Sequence, residues 1–588
     1  MRSFFTLGVF CVAISLCACG GGGGGAGASA VPQAAATVAN QGGTTISSAS
    51  GSIVLSPVAN SVTGIIAPGT ASVTVAALST AEVANAGTLA LENMGIALAA
   101  AAPQAHAVQP LAVAPAAATS SGQPQLAVER FAAEDPATLR AALAHLVTTQ
   151  GAAAARRAQS LPTAVGATSS LWIQASSLGA AAGAYAQLPA VLAAVTAHGY
   201  IWIDSSLSGV IASPATVAAI ANDFENAYAT DTAHFGTAQY TTAAPGYAAF
   251  GSVRACDSSG NPTGQSTPVY IDDSDPRVAV FVVNTHSLGS GIGGYFTSAN
   301  FWTTAAANCT IGTANAVRTN AAPMIYVGYE PSLPAGFPAN YEVAEDMVRA
   351  TAHELQHLIS AIHHVILTNG SLEDPWINEG LSMLAQDLAV PRTAGTSNDV
   401  DDAVTHASRY LTAPQNYSIT GFSGIDPPAW GGTGSLQFNC PNCYGAEYLF
   451  QRYLFDRFGG DAYLQAVESG GVTGYTNLSN ATQESLASLL AEFGVALAAS
   501  NTGITTDPKY VLAGLNLQGT LKDQFGNSVA LSGPRAAGSL SPGGNMSVGA
   551  YLGTYLYLNV TGVGTSGATI RIDDPAGLFG LRAAIVHR

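Results

Sequence analysis

The chain has 588 residues, a formal charge of −17, and only 9% charged against 48% hydrophobic residues. That length exceeds one compact core and predicts two to four units, with apolar content enough to build them. Lys and Arg total 19 and form no cluster, which argues against nucleic acid or an anionic membrane surface as partner.

The N-terminal MRSFFTLGVFCVAISLCAC has one Arg, an apolar run and then small residues, and reads as a secretory signal (residues 1–19). Its end, Leu16-Cys17-Ala18-Cys19, resembles the bacterial lipobox. That resemblance implies cleavage before Cys19 and acylation of its thiol, with Gly20–Gly25 as a tether. The expected location is therefore outside the cytoplasm: held to the outer membrane or cell surface by lipid on Cys19, or secreted. No later stretch holds about 18 apolar residues without a Gly or polar break, so no spanning helix is predicted.

Residues 20–165 are rich in Ala, Gly and Ser, and no aromatic residue occurs from 11 to 130. Such a segment struggles to bury enough surface to offset chain entropy, and reads as a low-complexity stalk or pro-segment. SIVLSPVA, TASVTVAAL and GTLALEN alternate like short strands, so a small β module near 48–100 is an option within it. Residues 125–150 read as helical.

The character changes near Trp172, where a domain spanning 166–504 is expected. GYIWID (199–204), RVAVFVVNTH (277–286) and PMIYVGYE (323–330) read as strands. Residues 213–230 read as a helix capped by Ser213 with Pro214 in its first turn. GIGGYFTSANFW (291–302) is either an edge strand able to pair with an extended peptide or a simple hairpin. Residues 341–366 contain no Gly or Pro and predict a helix of about seven turns. A second helix starts at Asp374-Pro375 and continues through WINEGLSMLAQDLA. TSNDVDDAV (396–404) reads as an acidic helix start. Further helices follow at 444–458 and 481–500, and residues 505–588 return to Gly-punctuated alternation, a β-rich C-terminal domain. Strands first and helices after give an α+β domain with a mixed sheet.

Cys11 and Cys17 leave with the signal, and Cys19 is the lipid site. Cys256, Cys309, Cys440 and Cys443 remain. An even number in an oxidising compartment predicts two disulfides, and Cys256–Cys309 with Cys440–Cys443 is the favoured pairing of three. The C-x-x-C could instead be half a zinc site, but no second C-x-x-C supplies the other half.

The chemistry concentrates in TAHELQHLISAIHH (351–364). His353 and His357 are four apart, so both imidazoles share one helix face and can reach one ion. Glu354 stands about 100° round the helix, where a general base belongs. With 11 His and 15 Glu in the chain, random order produces H-E-x-x-H only about 0.005 times, so chance explains it poorly. His363 and His364 read as solvated helix residues. Glu379 lies on the next helix, 22 residues after His357.

HExxH followed by a helix carrying NEG resembles the gluzincin class of zinc metallopeptidases. TAHELQHLI, PWINEGLSMLAQDL and YGAEYLFQRYLFDRFGG together resemble the hyicolysin family of bacterial secreted metallopeptidases, over about residues 170–500. The resemblance implies a zincin-like core and one catalytic Zn2+ held by His353, His357 and Glu379. It implies a protein or peptide substrate, and Glu354 as base for a metal-activated water, passing the proton to the leaving amine. This chain departs from the thermolysin-like pattern at Met383, where that pattern has an Asp that steadies a zinc histidine. Asp387, Asp374 and Glu373 are the candidates for that task. A donor to the developing oxyanion is also expected from Tyr444, Tyr448, His406 or Tyr410, with Tyr444 ahead because it opens a helix. Calcium occurs in exported peptidases, but TSNDVDDAV lacks the EF-hand spacing. The competing readings are a non-enzymatic surface-binding lipoprotein with a structural or vestigial zinc site and, ranked lower, an exopeptidase.

Overall fold

The computed structural model describes residues 161–560, apart from 175–184, 212, 273–274, 289–291, 314–315, 333–346, 391–401, 420–423, 426–435, 438–442, 504, 523–527, 541–545 and 551–553. Outside that span it describes the strands at 33–37, 44–48, 51–57, 63–66, 72–77, 130–132, 568–573 and 581–586. The signal segment, Cys19 and Cys440 therefore lie outside the described residues.

A seven-stranded sheet positions the site. Its strands are β1 (Arg130–Ala132), β2 (Thr168–Gln174), β3 (Tyr185–Val195), β4 (Gly199–Asp204), β5 (Val278–Asn284), β6 (Ile292–Phe296) and β7 (Met324–Tyr329). They lie side by side in the order β1-β6-β7-β5-β4-β3-β2. β4, β5 and β7 are parallel, β6 runs antiparallel to β7, and β1 runs parallel to β6 on its outer side. The parallel strands explain the unbroken apolar runs: all six residues of β7 and the first six of β5 are buried, because both faces are covered.

Among the described residues the α-helices of eight or more residues are α1 (Pro214–His234), α2 (Met347–Ala361), α3 (Pro375–Ala389), α4 (Asp402–Thr412), α5 (Tyr444–Arg457), α6 (Asp461–Glu468), α7 (Gly474–Thr482) and α8 (Leu486–Ala499). Ser213 caps α1 as expected, accepting from the Thr216 amide at 3.0 Å. α2 packs against β6, β7, α1 and α3, and every one of its 15 residues is buried. It runs on into a π-helical turn at Ile362–Leu367. The architecture is mixed α+β, with a mixed sheet and helices packed on it.

Three expectations are corrected. Part of the 125–150 stretch read as helical is strand β1, where sheet-edge hydrogen bonds override local propensity. The 481–500 helix is two: α7 ends where Gln483 turns left-handed (φ 58°), and α8 starts afresh behind the Ser485 cap. The two chain ends, expected as separate units, pair with each other. One five-stranded sheet runs Gln33–Thr37, Leu581–Val586, Gly51–Pro57, Leu556–Val560, Gly538–Leu540. The other runs Thr44–Ser48, Thr63–Ile66, Ala568–Asp573, Ser72–Ala77, Met546–Ala550. Each sheet thus draws strands from both ends of the chain. Tyr555 and Tyr557 then anchor this β region to α8, donating to the carbonyls of Leu490 (2.7 Å) and Gly494 (2.9 Å).

Cys256 and Cys309 form the expected disulfide across 53 residues. Cys443 is disulfide-bonded as well. Among the described residues no helix is long and apolar enough to cross a membrane. Replacing Cys256 and Cys309 together by Ser is expected to lower unfolding stability by about 4 kcal/mol, from the loop it closes. Denaturant titration of the oxidised protein and the double variant measures this, and an unchanged midpoint would contradict it.

Candidate metal centre

α2 carries His353 and His357 on the face turned to α3, and α3 answers with Glu379. Among the described residues these three form a single group of His, Cys, Asp or Glu side chains whose ligand atoms lie within 4.8 Å of one another. His353 Nε2 is 3.2 Å and His357 Nε2 3.6 Å from the same Glu379 oxygen, Oε2. Ligands on a tetrahedral zinc with bonds of about 2.0–2.1 Å sit about 3.3 Å apart, so the observed separations bracket that edge. The imidazole rings stand nearly perpendicular, at 78°, with centroids 4.8 Å apart.

The protonation states suit ligation. Burial pushes His353 down to about 4, although the nearby Glu379 works the other way, so the ring is neutral at neutral pH. Burial alone would raise Glu379, but His357 and His353 outweigh it and hold the carboxylate at about 2. Neutral imidazole and ionised carboxylate are the forms a metal requires.

Two more carboxyl groups crowd this place. Glu354 and Glu447 are fully buried, and their four oxygens have no hydrogen-bond partner. Burial and then the charge of Glu379 push both well above the usual carboxylate range. Buried acids without partners are strongly destabilising, and a cation among them removes that penalty. Strand β6 touches this group: a Cβ at Gly294 would lie 2.7 Å from Glu354 Oε1 and 2.8 Å from the Tyr326 carbonyl. Glycine there lets the strand pass directly over Glu354.

Tyr444, at the start of α5, does reach the site. Its ring meets that of His353 edge-on at 6.4 Å. Its hydroxyl is raised by burial and then by the charges of Glu379, Glu447 and Glu354. His406 on α4 lies behind it, with ring centroids 5.5 Å apart, and burial drives it down to about 3. α4 and α5 approach so closely that a Cβ on Gly445 would come 2.1 Å from the His406 carbonyl.

The other candidates sit elsewhere. Tyr448 donates to Asp387 at 2.7 Å, and Asp387 also accepts from Arg452 at 3.1 Å. Glu373 accepts from the Gly474 and Asp374 amides and from Asn477, and Asp374 stands at the N-cap position of α3 without a side-chain capping hydrogen bond. Tyr410 is fully buried on α4. His363 contacts the Thr237 carbonyl at 3.1 Å. His364 is not solvated as expected but fully buried, 3.6 Å from Glu468, because the π-helical turn faces it inward. Of the acidic run at 396–404, only the start of α4 is described.

Sequence reasoning missed Glu447 and Ser382. Glu447 follows Tyr444 by one helical turn, and Ser382 follows Glu379 by one turn; that spacing was the available signal. Ser382 Oγ lies 3.0 Å from His357 Nδ1, and no Asp takes this position.

Compared with protein-family models and with curated proteins, the chain finds no match.

His353→Ala and Glu379→Ala are each expected to weaken Zn2+ binding by more than the roughly 10–100-fold that follows loss of an outer partner, while His363→Ala leaves it unchanged. Competition with a chromogenic chelator reads all three, and a His363→Ala loss equal to the others would refute the assignment.

Proposed function

We propose that this chain is an exported, zinc-dependent endopeptidase, lipid-anchored through Cys19 and acting on proteins or peptides. The observation that carries the proposal is the buried His353–His357–Glu379 group with the partnerless acid Glu354 beside it. The mixed sheet backed by α2, with α3 carrying the third ligand, supports a zincin-like core. The sequence blocks around these residues support a gluzincin-type, hyicolysin-like peptidase. Zinc held by the three ligands supplies Lewis acidity toward the scissile carbonyl and toward water.

The chain's own groups divide the remaining work. Glu354 takes a proton from the attacking water and passes it to the leaving amide nitrogen, as a general base that then acts as acid. The neutral state of His353 and the ionised state of Glu379 keep the ligand set ready at neutral pH. Tyr444 donates its hydroxyl to the developing oxyanion from the α5 side. β6, passing over Glu354 at Gly294, offers an edge on which an extended substrate pairs. In the full-length chain β1 already pairs with that edge, Gly294 lying opposite Phe131. Residues 130–132 therefore compete with substrate.

The test is hydrolysis of quenched-fluorescent casein by the mature protein and three variants, each with zinc content measured. Glu354→Gln is expected to keep zinc and lose about 100-fold to 10,000-fold in rate. Tyr444→Phe is expected to keep zinc and lose about 100-fold. Replacing residues 128–134 by a Gly/Ser segment is expected to speed hydrolysis. Equal rates for wild type and Glu354→Gln would refute the mechanism. Zinc bound by every form with no hydrolysis by any of them would instead favour a non-enzymatic surface protein.

A further inference from the structure

Helix α5 brings Tyr444 to the metal centre, so whatever holds α5 against α3 sets where that hydroxyl stands. α3 meets α5 along one stripe, Trp376, Gly380 and Asp387, whose spacings of four and seven residues put them on one helix face. In the middle the two helices touch closely: a Cβ on Gly380 would lie 2.8 Å from the Glu447 carbonyl and from Gln451 Cγ. Toward the start of α3, Trp376 stacks on Phe450, with ring centroids 6.2 Å apart. Toward its end, Asp387 Oδ2 accepts from the Tyr448 hydroxyl at 2.7 Å and from Arg452 Nη1 at 3.1 Å. Trp376, Phe450, Asp387 and Tyr448 are all buried. Arg452 also pairs with Asp456 on its own helix, at 2.9 Å.

We propose that Asp387 is a positioning residue for Tyr444: by holding Tyr448 and Arg452 opposite the Trp376–Phe450 contact, it fixes the rotation of α5 that sets the Tyr444 hydroxyl at the metal centre. This inference rests on the reading of Tyr444 as donor to the oxyanion. The two contacts take hold of opposite sides of α5. At about 100° per residue, Phe450 stands about 200° round the helix from Tyr448 and about 160° from Arg452, and Glu447 and Gln451, which face Gly380, lie between. A roll of α5 about its own axis therefore breaks the ring contact or the Asp387 bonds. The same roll carries Tyr444 away from the His353 ring, which it meets at 6.4 Å, because Tyr444 lies only about 40° round the helix from Tyr448. The apolar contact is non-directional and tolerates a small roll. The hydrogen bonds are directional and do not, so the angle is set at Asp387.

The experiment is a double-variant cycle on the full mature chain, using a quenched-fluorescent peptide that the wild type cleaves and measuring zinc content in every form. Asp387→Ala is expected to keep zinc and to lower kcat by up to about 100-fold, the scale of a misplacement of about 1 Å. KM is expected to stay, because the oxyanion forms only in the transition state. Added to Tyr444→Phe, Asp387→Ala is expected to change kcat by no more than about twofold, since its effect runs through a hydroxyl already removed. An unchanged rate for Asp387→Ala, or equal losses in both backgrounds, overturns the proposal. A second readout needs no metal: in the zinc-free protein, Asp387→Ala is expected to quicken amide exchange in residues 444–457 and not in 347–361. Quickening in both stretches, or in neither, overturns it. If Asp387→Ala does not fold, Tyr448→Phe takes its place, with an expected loss of about twofold to tenfold, one hydrogen bond's worth. No loss, or a loss that persists beside Tyr444→Phe, overturns the proposal. Wild-type speed in Tyr444→Phe would bring down the reading of Tyr444, and zinc bound without hydrolysis by the wild type would bring down the peptidase; either takes this proposal with it.

Discussion

The rest of this structure depends on one buried carboxylate set between two histidines. Glu379 Oε2 is within 3.6 Å of both imidazole Nε2 atoms, and all three side chains are at most 5% exposed. Glu354 and Glu447 add two further acids in electrostatic reach of it. Within a protein interior such a concentration is tolerable if the added acids stay protonated or a cation sits among them. The fold around it serves to hold these groups despite their mutual repulsion.

Burial of α2 on all sides is how that is done. A surface helix would leave one face in water, and its histidines would titrate and wander. Here the sheet, α1 and α3 enclose the helix, and glycines set how close the walls come. Gly294 brings β6 onto Glu354, and Gly445 brings α5 against α4, where Tyr444 meets the His353 ring. Gln356, also on α2, bonds Ser382 of α3 and Glu468 of α6.

The pairing of the two chain ends changes how the N-terminal region is understood. Strands from 33–77 lie between and beside strands from 538–586, so the segment expected as a stalk is part of the β region that α8 supports. Strand β1 then carries the same N-terminal region to the edge of the central sheet. One stretch of chain is tied at both places, which links the β region shared by the two chain ends to the edge beside Glu354.

The sequence by itself determined the metal site's members. A four-residue histidine spacing on a helix, an acid next to it and a Glu on the following helix are local facts, and helical geometry converts spacing into direction. The apolar runs of β5 and β7, the Ser213-Pro214 start of α1 and the 256–309 disulfide were legible for the same reason: each follows from periodicity, capping or a short count of options. Only the tertiary structure decided what meets across elements. Ser382 and Glu447 matter because α3 packs on α2 and α5 packs on α3, and no periodicity encodes such a contact. Asp387 is one of three acids that charge alone offers as the histidine's partner, yet its direction on α3 delivers it to Tyr448 and Arg452. The union of residues 33–77 with 538–586 joins positions some 500 residues apart in a chain of 588. Alternating patterns mark both ends as strands, but the choice of partner is made by edge hydrogen bonds and shared burial, which belong to the assembled fold.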